Sequence, residues 1–164
     1  MRFIATLLLL FPLISHAANA EYLKIYLMQD KNLILGKMDG VDEMGRYVKE
    51  VERSINKEIA ALPAAKTWGF IVIAVRDDGK IKAWLDTDDK VPADVAKAMV
   101  SIAETTKAFA VKKGAVIFSL GFATDGAELP VDKVPFPNEW KQVANCTNED
   151  CAEKNAEEIV LNSW

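Results

Sequence analysis

Residues 68–75 of this chain read Trp-Gly-Phe-Ile-Val-Ile-Ala-Val, and no other stretch limits the fold as tightly. The run is rich in Ile, Val and aromatic residues, which fit a pleated surface. It is apolar at odd and even positions alike, so a strand made from it is a central one, covered on both faces or nearly so. Asp77-Asp78-Gly79 follows, a turn signal because Gly supplies the positive φ of a tight hairpin. Lys80–Asp86 then alternates: Ile81, Ala83 and Leu85 point one way, Lys82 and Trp84 the other. The two runs predict a hairpin.

Helical spacing flanks this hairpin. Met44, Tyr47, Val48, Val51, Ile55, Ile59 and Leu62 recur every three or four residues, with Arg46, Lys49, Glu50, Arg53 and Lys57 on the other face. That predicts an amphipathic helix of about 20 residues, with Asp39 or Asp42 as its N-terminal cap and Pro63 as its stop. A second helix starts at Pro92 and carries Val95, Ala98, Met99, Ile102, Ala103, Phe109 and Ala110. Lys112 and Lys113 suit the negative end of its dipole, and Gly114 its end. Ala115–Ala123 predicts a third strand, with Val116, Phe118, Leu120 and Phe122 on one face and Ile117, Ser119 and Gly121 on the other. Residues 22–28 with 32–35 fit either a strand pair or one short helix. After Thr124, Pro130, Pro135 and Pro137 imply an irregular connection, followed by short helices over 138–144 and 149–161. Trp140 and Trp164 suggest that this tail folds back onto the body.

The first 20 residues have the layout of a secretory signal peptide: basic Arg2, an apolar run from Phe3 to Ile14, then Ala18-Asn19-Ala20. The run is too short to span a bilayer, which takes roughly 20 residues. Cleavage is expected before Glu21, leaving residues 21–164 as one domain in the periplasm or outside the cell, with no stable membrane anchor. The only histidine, His16, leaves with the leader. Loss of Arg2 leaves 19 basic against 24 acidic residues, a net charge of −5, which disfavours nucleic acid as a partner. The acidity is concentrated: residues 39–123 hold 13 acidic and 13 basic residues, residues 124–164 hold 9 and 3. The tail is either a solvated acidic segment or a docking surface for a basic partner. Cys146 and Cys151 are the only cysteines, and in an exported chain they are expected to form a disulfide. Asn145-Cys146-Thr147 matches a glycosylation acceptor by letter, relevant only in a eukaryotic secretory pathway.

Across residues 39–123 the predicted order is helix, strand, tight turn, strand, helix, strand, with Asp78-Gly79-Lys80-Ile81 at the turn and a Pro-led second helix. This resembles the C-terminal domains of the TonB/TolA group, periplasmic modules that grip other proteins. The Tyr-Pro and Ser-Ser-Gly features of the TonB type are absent, as are the group's long proline linker and membrane anchor. The resemblance implies a sheet-and-helix binding module and does not imply energy transduction.

The chemistry open to such a chain is narrow. Without His, neither a Ser-His-Asp nor a Cys-His arrangement can be built. Paired carboxylates could hydrolyse glycosides, but Asp77 and Asp78 are adjacent turn residues, and Glu50 and Glu58 lie on a polar helix face. A Ser-Lys dyad would need Ser119 near Lys82. Asp86-Thr87-Asp88-Asp89 resembles half a calcium loop without its Gly and distal Glu. No metal site or cofactor is expected. Lys82, Trp84, Ile117 and Ser119 share the sheet face opposite the two main helices, and form either a partner contact or a surface covered by the tail with Trp140 and Val160.

Together these readings predict one α+β domain: a three- or four-stranded, mostly antiparallel sheet, two main amphipathic helices on one face, and a disulfide-bonded helical tail alongside. The function expected of it is non-enzymatic protein binding, adaptor-like. The alternatives are a periplasmic immunity or inhibitor protein that neutralises a toxin or hydrolase, and a carboxylate-based hydrolase.

Overall fold

The computed structural model describes residues 18–62, 65–88, 91–144 and 150–164, the side chains of 144 and 150–155 excepted. In chain order the elements are β1 (Ala20–Leu27), α1 (Lys31–Lys37), α2 (Val41–Ile59), β2 (Thr67–Arg76), β3 (Ile81–Thr87), α3 (Ala93–Thr105), β4 (Ala115–Thr124), α4 (Asn138–Ala144) and α5 (Asp150–Asn162). The strands form one open sheet in the order β1-β4-β2-β3, antiparallel throughout. This is the α+β architecture expected from the residue pattern.

The two central strands have no solvated face. β4 is buried along its whole length, and β2 from Gly69 to Val75. Ile73 stands opposite Phe118 and Ile71 opposite Leu120; these four pack under Met44, Tyr47, Val48, Val51, Ile55 and Ile59 of α2 and Val95, Met99 and Ala103 of α3. Burying such side chains stabilises by roughly 1.5–3 kcal/mol each, which outweighs the helix cost of Gly45 inside α2. On the reverse face Phe70, Val72, Ala74, Trp84, Ala115 and Ile117 meet Phe136, Trp140, Ala156, Ile159 and Val160. The hairpin forms as the turn residues require: Gly79 takes φ +79°, and Arg76 and Lys80 close the loop with a 2.9 Å backbone bond.

Several local expectations need correction. Residues 22–28 pair with β4 as an edge strand, and residues 31–37 are a separate helix capped by the Asp30 carboxylate, which accepts from the Asn32 and Leu33 amides at 2.8 and 3.2 Å. The cap of α2 is Gly40, with no side-chain bond; Asp42 falls inside the first turn, and Asp39 pairs with Lys112 at 2.8 Å. The second long helix stops at Thr105 instead of running to Ala110. Thr105 and Thr106 bond their hydroxyls back to the carbonyls of Ser101 and Ile102, and Thr106 is already extended. The chain from 107 to 114 then runs without helix, which still carries Phe109 and Val111 into the core. Pro92 is the N-cap of α3 and not its first residue.

Residues 1–17 of the expected leader lie outside the described residues; Ala18, Asn19 and Ala20 lie inside, and Ala20 opens β1. Pro63, Asp89, Asn145, Cys146 and the Cys151 side chain also lie outside them, and with them the expected disulfide and the glycosylation acceptor. Among the described residues no helix is long and apolar enough to cross a membrane.

Candidate functional site

The tail decides the fate of the sheet face on which sequence reasoning placed a partner contact. Ile117 and Ser119 are fully buried and Trp84 is 5 % exposed. Trp84 meets Trp140 edge to face at 5.5 Å, and Phe136 packs against Trp140 at 6.3 Å. Lys82 donates its Nζ to the Ser163 carbonyl, the Arg76 guanidinium sits 4.5 Å over the Trp164 ring, and Asp86 accepts from the Phe136 amide at 2.7 Å. Trp84 and Ile117 therefore pack with Trp140, Ile159 and Val160 of α4 and α5, Lys82 is bonded to the C-terminal residues, and Ser119 is buried on the same face.

The candidate catalytic groups are separated and engaged. Ser119 stands opposite Val72, which stands opposite Trp84, so the serine is two strands away from Lys82, and its buried Oγ has no hydrogen-bond partner among the described residues. Asp78 pairs with Arg76 and Lys80; the Arg76 guanidinium bond, first among several causes, holds its carboxyl well below the ordinary range. Asp77 accepts from the Gly114 amide at 2.9 Å. Glu50 accepts from Arg53 at 2.6 Å and from Ser54 at 3.3 Å, and the arginine lowers its pKa. Of the partial calcium pattern, Asp88 accepts from the Thr67 hydroxyl and Asp86 from Phe136. Among the described residues no three His, Cys, Asp or Glu side chains converge as metal ligands.

Among the described residues no further strand pairs with β1, which stands at one end of the strand order and whose first residue, Ala20, is bonded by Asn56 of α2. Leu23, Ile25 and Leu27 are 50 %, 49 % and 39 % exposed, while Tyr22, Lys24 and Tyr26 between them are half-buried. A register shift between Tyr22 and Lys24 makes Leu23 the extra residue of a bulge. From there Ile25 stands opposite Leu120 and Leu27 opposite Phe118. Lys24, whose charge on an edge strand ordinarily discourages pairing, is turned inward: its Nζ lies 5.1 Å from the Tyr26 ring and 5.8 Å from Phe70, and donates to the Val131 carbonyl at 3.3 Å. An open groove of about 240 Å³ lies at the end of the strand, lined by Tyr26, Leu27, Met28, Gln29, Asp30 and Val134.

β3 is the other edge of the sheet. Glu104 of α3 reaches over it and accepts the Ala83 amide at 3.1 Å. Four exposed acidic residues lie on β1 or in segments next to it: Glu21 is on β1, Asp125 follows the Thr124 that pairs with Ala20, and Glu128 and Asp132 flank the Leu129–Val131 stretch that reaches Gly121 and Lys24. Sequence reasoning missed this edge because Tyr22–Met28 is apolar in both phases. The period-two signal was present as Leu23, Ile25 and Leu27, but strand and helix could not be separated in so short a run. The chain matches no protein-family model, no curated protein and no solved structure.

Proposed function

We propose that this chain is an exported, periplasmic, non-enzymatic protein-binding module that takes an extended segment of another protein against the outer edge of β1. The observation that carries the reading is the exposure of Leu23, Ile25 and Leu27 on an edge strand that, among the described residues, pairs with no strand beyond β4 and is held at its first residue, Ala20, by Asn56. Strand addition uses this combination, with main-chain hydrogen bonds supplying affinity and alternate side chains supplying specificity. The exposed acidic Glu21, Asp125, Glu128 and Asp132, on β1 or in segments next to it, favour a segment that alternates apolar residues with Lys or Arg. An adaptor role also fits the helix, strand, strand, helix, strand order over residues 39–123, the order on which the resemblance to TonB/TolA modules rests in the sequence.

The test is a pull-down with the tagged protein and with its Ile25→Lys variant. Ile25 is half-exposed, so the substitution is tolerated by the fold, and circular dichroism should be unchanged. The native protein should retain one stoichiometric partner that high salt releases, and the variant should retain at least tenfold less. Equal retention by the two overturns the edge as the contact. Hydrolysis of a cell-wall or glycan substrate by the pure protein overturns the non-enzymatic reading.

A further inference from the structure

We propose that the export leader is removed between Ala17 and Ala18, three residues before the bond that the Ala18-Asn19-Ala20 pattern marks. The proposal rests on the exported reading above. Two triplets follow the apolar run with a small residue at their first and third positions: Ser15-His16-Ala17 and Ala18-Asn19-Ala20. An export peptidase that reads small residues at those two positions accepts either. Sequence alone does not choose between them.

The fold distinguishes the two products. Ala20 is the first residue of β1, opposite Thr124 of β4. Asn56 of α2 holds it from the side: the Ala20 amide donates to Oδ1 at 3.0 Å, and its carbonyl accepts from Nδ2 at 3.2 Å. Ala18 and Ala20 are 4 % and 3 % exposed and belong to the core between the sheet and α2. The second triplet is therefore part of the folded domain. A cut after Ala20 removes the residue that Asn56 clamps, leaves that half-buried amide without its two partners, and puts a new ammonium group on β1 itself at Glu21. A cut after Ala17 keeps the strand start, the clamp and the buried alanines. In chemical terms water adds across the Ala17–Ala18 peptide bond, giving a carboxylate on Ala17 and an ammonium on Ala18. The peptidase acts on the unfolded chain during export, so the fold does not steer the enzyme; it marks which product can complete its first strand.

The full chain, expressed in a bacterial host and recovered from the exported fraction, should give an intact mass and an N-terminal sequence that begin at Ala18. The Ala17→Leu substitution should abolish that N-terminus, because a bulky residue then occupies the last position before the cut. A mature chain that begins at Glu21, or an Ala17→Leu chain processed at the native position, overturns this assignment while leaving export intact. A chain recovered with Met1 and the whole leader attached overturns both the assignment and the exported reading.

Discussion

Lys37 of α1 and Glu157 of α5, 120 positions apart, form a 2.6 Å ion pair at the start of β4. Lys37 also donates to the Ala115 carbonyl at 2.8 Å, and Glu157 accepts the Ala115 amide at 2.9 Å. Both backbone groups of one strand residue are thus held by side chains from two helices. Gln29 joins the cluster, donating to the Ala115 carbonyl at 3.2 Å and accepting the Ile117 amide at 3.0 Å. The lysine side chain is 10 % exposed and the glutamate 31 %. Breaking such a pair from one side leaves a charge without its partner. Glu157→Ala should therefore lower stability by about 2–3 kcal/mol in urea denaturation. Replacing both residues together, as Lys37→Met with Glu157→Leu, should cost less than the sum of the two single changes, and the double-mutant cycle measures the difference.

Trp140 anchors the tail on the sheet. It is fully buried between Trp84 and Phe136, and its indole N–H has no hydrogen-bond partner among the described residues. Trp140→Ala therefore strands no polar group elsewhere, and its cost is the cavity and lost burial, about 3–5 kcal/mol. Val143→Ala on the same helix, at a position 37 % exposed, should stay within about 0.5 kcal/mol of the native protein. Chemical denaturation followed by tryptophan fluorescence reads both, and a shift of similar size in the two would contradict the tail's role as the cover of this face.

Tyr47 sets an alkaline limit on stability. Its hydroxyl donates to the Ala103 carbonyl at 2.6 Å, tying α2 to α3. Burial, and secondly the Glu104 carboxylate, raise its pKa above the ordinary value of 10.0. Above that pH the unfolded chain releases the proton while the folded protein keeps it. The stabilisation is complete below pH 10 and is lost as pH rises from there toward the folded value. Tyr22 behaves in the same sense, raised by burial first and by Glu52 second. Tyr47→Phe should cost about 1 kcal/mol at neutral pH and flatten the fall in stability above pH 10. A melting curve measured from pH 8 to 11 with an unchanged slope in the variant would refute this account.

The parts of the fold legible in the residues are those where a local rule and the packing agree. Helix α2 and the hairpin are of this kind: six apolar residues at helical spacing all reach the core, and Asp77-Asp78-Gly79 turns the chain where Gly can take a positive φ. The division of side chains between the two sheet faces also follows from alternation, with Phe118 and Leu120 on one side and Ile117 on the other. The end of α3 did not, because Phe109 keeps an apolar position at helical spacing although the helix has already ended at Thr105. An apolar residue reports that it is buried and not which backbone buried it.

The candidate site divides along the same line. Alternation and period depend on neighbours a few positions apart, so the class of fold, the elements of the body and the two-sided burial of Trp68–Val75 could be read from the residues alone. Which strand lies at an edge depends on pairings across tens of residues: β4, last in the chain among the strands, inserts between β1 and β2. That insertion leaves Leu23, Ile25 and Leu27 exposed on an edge strand, while the return of α4 and α5 buries Trp84 and Ile117. Both outcomes are choices between surfaces that are equally apolar in the linear chain. They are made by long-range packing, which buries the most area with the fewest unpaired polar groups, and no local pattern records the result.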